Sequence, residues 1–147
     1  MEITENGFIF SDDKNRIDVT AVHHYLSTQS YWAQEIPLEL VVKSIANSLC
    51  FGIYKEARQI GFARWITDRA TFGYLADVYV EEEFRGQGLS KKLMTIMLFH
   101  EDLQGLRRYQ LATKDAHSLY SQFGFKPMED PDSVMAIVIK DIYKKDR

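Results

Sequence analysis

The chain has 147 residues, a net charge of −3 at pH 7, 46% hydrophobic residues and one cysteine. That length suits one domain with its own core, read here as residues 1–147. The charge balance argues against a protein that wraps nucleic acid by bulk electrostatics, the lone cysteine excludes an intrachain disulfide framework, and no apolar run approaches the roughly 18 residues of a membrane span.

The first 30 residues hold acids and polar residues rather than an apolar leader, so a cytoplasmic protein is expected, with neither nucleic acid nor membrane as partner. GFIFSDDKNRI predicts a first strand with a polar turn at Ser11–Asn15. Asp18 is a good N-cap for a helix through DVTAVHHYLS, with Val19, Val22 and Leu26 on one face. His23 and His24 are adjacent and point apart on a helix, which is poor metal-ligand geometry, so no metal site is expected. Pro37 suits the first turn of a second helix, PLELVVKSIANS, with Leu38, Val41, Val42 and Ile45 at helical spacing.

LCFGIY and QIGFARWIT, joined by KEAR, predict a hairpin. Cys50, in the first of these, reads as a buried thiol. TFGYLADVYV predicts a further strand, LSKKLMTIMLFHEDL a helix, LRRYQLAT a strand and DAHSLYSQF a short helix. FKPM and SVMAIVIKDI are expected to be the last strands. The order is that of an α/β (α+β) fold with a mixed, mostly antiparallel sheet of about six or seven strands, flanked by about four helices.

FRGQGLSKK lies between a strand and a helix. A helix start offers unpaired N–H groups and the positive end of the helix dipole, so it attracts an anion. Gly86 and Gly88 allow the backbone to curl, Arg85 adds a forked cation, and Lys91 and Lys92 add charge. The P-loop string is absent, and Lys91 stands where a dinucleotide fingerprint needs its third glycine. A plain structural corner remains the competing reading of the turn.

VYV followed by FRGQGLSKKLM, with LYSQFGF downstream, resembles the signature of the GNAT superfamily of N-acetyltransferases. The family's Arg/Gln-x-x-Gly-x-Gly/Ala core falls on Arg85, Gly88 and Ser90, and its Leu-Tyr-x-x-x-Gly-Phe landmark on Tyr120 and Gly124, with Ala116 also in place. Ser90 departs from the usual Gly or Ala, and Thr113 stands where many relatives carry Asn, though threonine can still cap the next helix.

The resemblance implies an acetyl-CoA-dependent N-acetyltransferase in which an amine attacks the thioester directly in a ternary complex. It implies acetyl-CoA as co-substrate, held by the strand backbone at Val78, Tyr79 and Val80 and by Arg85, Gly86, Gln87, Gly88, Leu89, Ser90 and Lys91. The strand backbone would also supply the oxyanion donor. Tyr120, protonated at neutral pH, would be the general acid for the departing thiolate; packing in the core is its other reading.

The base is left open. Asp77 matches the aspartate of a Glu-Asp pair in the family's polyamine acetyltransferases, but Ala76 replaces the glutamate. Asp77 is therefore a base, a substrate-binding group or a structural ion pair. Strict alternation would put Tyr74, Ala76 and Val78 on one face and Leu75, Asp77 and Tyr79 on the other. The loop SYWAQEIP is expected to border the acceptor pocket through Tyr31, Trp32 and Glu35. His117, three residues before Tyr120, is a second acid/base candidate. The acceptor would be a primary amine of a small molecule or peptide. Dimers are common in the family, which leaves a homodimer open. The missing base leaves a second class open, a non-catalytic CoA-binding sensor or regulatory domain.

Overall fold

Asn6-Gly7 is a two-residue turn with φ of 53° and 81°, the left-handed pair that a tight hairpin requires. It divides the N-terminal segment into β1 (Glu2–Glu5) and β2 (Phe8–Ser11), where the sequence reading had one strand. The computed structural model describes residues 1–145. There follow α1 (Val19–Thr28), α2 (Leu38–Ala46), β3 (Leu49–Lys55), β4 (Arg58–Thr67) and β5 (Phe72–Val80). Then come α3 (Leu89–Phe99), β6 (Arg108–Leu111) and α4 (His117–Ser121).

The strands form one sheet in the order β1-β2-β3-β4-β5-β6. Every neighbouring pair is antiparallel except β5 and β6, which are parallel and joined through α3. A parallel pair needs such a crossover, because a tight turn can only reverse the chain. Among the described residues, the mixed six-stranded sheet with four helices is the expected architecture.

Each face of the sheet buries its own apolar cluster. On one, Leu93, Met94 and Met97 of α3 pack on Phe10, Phe51, Ile53 and Trp65. The Trp65 indole donates to the Met97 sulfur at 3.2 Å, so even this core N–H has a partner. On the other, Val22 and Leu26 of α1 and Val41 and Ile45 of α2 cover Cys50, Phe62 and Tyr79. Asp18 caps α1 by accepting from Ala21 N at 3.0 Å. In α2 the buried stripe is narrower than its spacing suggested. Val41 and Ile45 are buried, whereas Leu38 and Val42 face outward, because only one flank of the helix meets the sheet.

The largest departure is C-terminal. Neither FKPM nor SVMAIVIKDI forms a strand among the described residues. Met135 is 92% and Ile137 96% exposed. β-Branched composition favours extended backbone, but a strand exists only where an edge pairs with it. No helix of the described residues is long and apolar enough to cross a membrane.

Candidate functional site

β6 is only four residues long, and its register with β5 ends at Leu75↔Leu111. β5 runs on to Val80, still paired with β4 through Arg64↔Ala76, Phe62↔Tyr79 and Gly61↔Val80. From Ala76 to Val80, therefore, the other edge of β5 meets no strand. Its backbone donors and acceptors are presented to whatever enters there, and buried backbone groups need partners.

The register slips within that half. Between Arg64 and Phe62 of β4, β5 carries one extra residue, and Asp77 sits at φ 55°. Such a bulge inverts the alternation beyond it. Leu75, Val78 and Val80 accordingly join the α3 side, while Tyr79 joins the α1–α2 side. The strict alternation expected from sequence fails here: Val78 shares the face of Leu75 instead of the face of Tyr74 and Ala76.

Asp77 is held from two directions. Trp32 Nε1 donates to Oδ1 at 2.8 Å, and Arg64 Nε donates to Oδ2 at 2.9 Å. Arg64 Nη1 also donates to Ser48 Oγ at 3.0 Å. The Arg64 and Asp77 side chains retain only 15% and 10% of their exposure, so the pair is shielded from screening. Both carboxylate oxygens are engaged in fixing Trp32 and Arg64.

The free half of β5 walls a cavity of about 870 Å³, which Arg85, Ser90, Tyr31, Trp32 and Tyr120 also line. At the start of α3, Gly88 is the N-cap at φ 75° and no side chain caps the helix. The first intrahelical bond runs from Lys92 N to Gly88 O, which leaves the N–H groups of Leu89, Ser90 and Lys91 pointing out of the helix start. A Cβ at Gly86 or Gly88 would meet nothing within 4 Å, so backbone conformation, not crowding, demands glycine there. Arg85 braces the turn: its Nε donates to Val80 O at 2.8 Å and its Nη2 to Tyr25 Oη at 3.1 Å. Gln87 Nε2 donates to Phe84 O at 3.3 Å, and Lys92 turns away toward Glu5.

Tyr120 lies on α4 with its ring among the α3-side core. Burial pushes its hydroxyl up to about 12, with Tyr31 and Asp115 adding to the effect. It stays a proton donor at any ordinary pH. Thr113 Oγ1 accepts from Ala116 N at 3.1 Å, a turn just ahead of α4; the N-cap of that helix is Ala116 itself, with no side-chain cap, so the expected capping by Thr113 is not formed.

Tyr31 and Trp32 reach the cavity and meet edge to face, with ring centres 4.9 Å apart. Tyr31 Oη accepts from Lys114 N at 3.2 Å, and the Lys114 ammonium sits 4.7 Å from the Tyr31 ring. Glu35 is exposed at φ 64° and lies outside the cavity lining, since its segment turns back with Glu35 N bonded to Ser27 O. His117 is also exposed and outside the lining. The Cys50 thiol is buried, which pushes it up to about 11 and leaves it inert.

The sequence reading missed Tyr25, Arg64, Tyr74 and Lys114, which all line the cavity. Tyr25 stacks on Tyr79 at 3.9 Å and receives Arg85. None of the four carries a local signal, because each comes from a different element. Glu82 and Asp115 are the other carboxylates of the lining.

This arrangement can hold an extended chain with amide groups along β5, an anion at the start of α3, and a reacting group beside a hydroxyl donor. Residues 46–127 match the family model described as an acetyltransferase (GNAT) domain. A Gibberella zeae protein named as a candidate acetyltransferase is 31% identical, over 92% of this chain and 89% of its own. A crystallised GNAT-family protein of Xanthomonas campestris pv. campestris is 46% identical, with a TM-score of 0.92 over 95% of this chain and 99% of that one. A GNAT-family acetyltransferase from Elizabethkingia anophelis, solved with acetyl-CoA bound, has a TM-score of 0.63 over 85% of this chain and 80% of that one; at 13% identity it shows the shared fold alone.

Proposed function

The chain belongs to the GNAT acetyltransferase family of acyltransferases, and on that premise we propose that it transfers the acetyl group of acetyl-CoA to a primary amine of a small molecule or peptide by direct attack in a ternary complex. One observation carries the reading. The unpaired half of β5, Ser90 in the uncapped first turn of α3 and Tyr120 border a single cavity.

The residues fit the co-substrate. Ala76 to Val80 offer ladder hydrogen bonds to the amides of its arm, and the N–H groups of Leu89, Ser90 and Lys91 suit its pyrophosphate. Ser90, where the family usually has Gly or Ala, keeps a small side chain at the lining. Arg85 contributes by bracing the turn against Val80 and Tyr25. When bound, acetyl-CoA supplies an activated acyl group on a thiol leaving group.

Tyr120 donates a proton to the departing sulfur. The acceptor enters beside Tyr31, Trp32 and Tyr74, whose aromatic side chains suit an apolar or aromatic amine. Asp77 positions Trp32 and Arg64 and is not the base. The attacking amine must be neutral, and a free alkylammonium has a pKa of about 10. It gives its proton to water at the open mouth of the cavity before attack, and the second proton, which the nitrogen loses as the amide forms, returns Tyr120 to its phenol form.

The second reading, a CoA-binding domain without turnover, draws on the engagement of both Asp77 oxygens. An acceptor screen that follows release of free CoA thiol separates the two. Turnover with some amines supports the enzyme; thermal stabilisation by acetyl-CoA with no thiol release across amines, amino acids and peptides supports the binding domain. No stabilisation at saturating acetyl-CoA would sink both.

A further inference from the structure

Three cations line the cavity: Arg64, Arg85 and Lys114. Two of them are already engaged. Arg64 is ion-paired with Asp77, and Arg85 directs its donors to Val80 O and Tyr25 Oη beside the start of α3. The Lys114 ammonium forms no ion pair and donates no hydrogen bond among the described residues. It rests 4.7 Å from the centre of the Tyr31 ring. An ammonium over an aromatic face keeps its charge and its three donors.

The free half of β5, Ala76–Val80, separates the two ends of the cavity. Lys114 comes just after β6, which parts from β5 at Leu75↔Leu111, where the free half begins. Arg85 and the glycine turn lie beyond Val80, where it ends. An anion at Lys114 is therefore a different anion from the one that suits the start of α3. The Lys114 end is also the reacting end. Tyr31, whose hydroxyl accepts from Lys114 N at 3.2 Å, and Asp115 both act through space on the Tyr120 hydroxyl. Asp115 lines the cavity and has no ion pair among the described residues. Tyr120 is thus flanked by an aromatic ring, a free carboxylate and a free ammonium.

We infer that Lys114 selects the acceptor by binding a carboxylate that the acceptor carries beside its amine, so that the preferred acceptor is an amino acid with an apolar or aromatic side chain. The inference rests on the acetyl-transfer reading above and deepens it. One cation matches one carboxylate, whereas a phosphate, nearly doubly charged at neutral pH, would leave negative charge beside Asp115. Asp115 offers the incoming ammonium an opposite charge before it gives up its proton. Tyr31, Trp32, Ile66 and Tyr74 line the cavity around these charges and receive the side chain. A peptide fits less well, because its N-terminal amine has an amide where a free amino acid has the carboxylate.

Release of CoA thiol with phenylalanine against phenethylamine, and with tryptophan against tryptamine, tests it, because each pair differs in the carboxylate alone. The amino acid is expected to have a kcat/KM about tenfold higher or more. In Lys114→Gln that preference should vanish through a KM about tenfold higher for the amino acid, with its kcat and the acetyl-CoA affinity nearly unchanged. Lys114→Arg should restore the preference, and turnover of phenethylamine should be the same in each protein. The Lys114 side chain is exposed and its backbone N–H remains in every variant, so the fold is kept. Equal kcat/KM within each pair, or a preference that survives Lys114→Gln, overturns the inference and leaves the acetyltransferase reading standing. So does thiol release with other amines but with neither amino acid, or a phosphonate analogue of phenylalanine preferred over phenylalanine. No release with any amine overturns both.

Discussion

The two halves of β5 share a backbone and differ in what stands beside them. Gly73–Leu75 is paired on both sides, by β4 and by β6. Ala76–Val80 is paired on one side only, and a bulge at Asp77 turns it out of register. The first half is scaffold, and the second presents backbone groups that no strand pairs. The contrast comes from the shortness of β6 and one extra residue in β5, not from the side chains of β5 itself. Substitutions in the free half and around it should act on binding and turnover, and those in the paired half on stability alone.

Gly88→Glu should have the largest effect. It strains a left-handed position and puts a negative charge at the anion site. Acetyl-CoA affinity by calorimetry is expected to fall on the order of 100-fold or more, equivalent to about 3 kcal/mol. Affinity retained in a folded variant would mean that the helix start is not the pyrophosphate site.

Tyr120→Phe comes next. kcat should drop about 100-fold while acetyl-CoA affinity stays within a factor of two. The pH profile gives an independent check. The protonated phenol is the working form, and burial raises its loss to about pH 12. The wild-type rate should therefore climb as the acceptor amine deprotonates and show no fall from Tyr120 ionisation below about pH 10. An unchanged kcat in the variant removes Tyr120 as the acid.

Asp77→Ala should affect both sides of the comparison. It leaves Arg64 shielded and unpaired and frees Trp32, at a cost of about 3 kcal/mol in unfolding free energy. If Asp77 positions and does not abstract protons, Asp77→Asn should keep substantial turnover, because the amide oxygen still accepts a hydrogen bond. A loss in Asp77→Asn as deep as in Asp77→Ala would restore Asp77 as a base.

The smallest effect is expected in the paired half. A Cβ at Gly73 would lie 3.1 Å from both Leu106 and Trp65 side chains. Gly73→Ala should cost about 1 kcal/mol in stability by urea titration and leave acetyl-CoA affinity unaltered. A change in affinity there would erase the division between the halves.

Much of this was legible in the chain, for identifiable reasons. The glycine turn in FRGQGLSKK was readable because local rules govern helix starts and glycine φ. The α1 cap at Asp18 and the β3–β4 hairpin were readable on the same grounds. The β1–β2 hairpin has its own local signal, the Asn6-Gly7 pair. Glu35 and His117 were nominated by proximity in sequence, and chain direction took both away from the cavity.

By itself, then, the sequence determined the order of elements from α1 to α4, the glycine turn that leads into α3 and the family, since each is written in short-range pattern. Only the tertiary structure decided that Asp77 is bound between Trp32 and Arg64, residues 45 and 13 positions away. It alone gathered Tyr25, Tyr74 and Lys114 around the cavity, and it alone left VMAIVI without a strand partner among the described residues. Strand pairing and side-chain contact are long-range: a residue's propensity says what conformation it favours, and only the folded chain says what stands next to it.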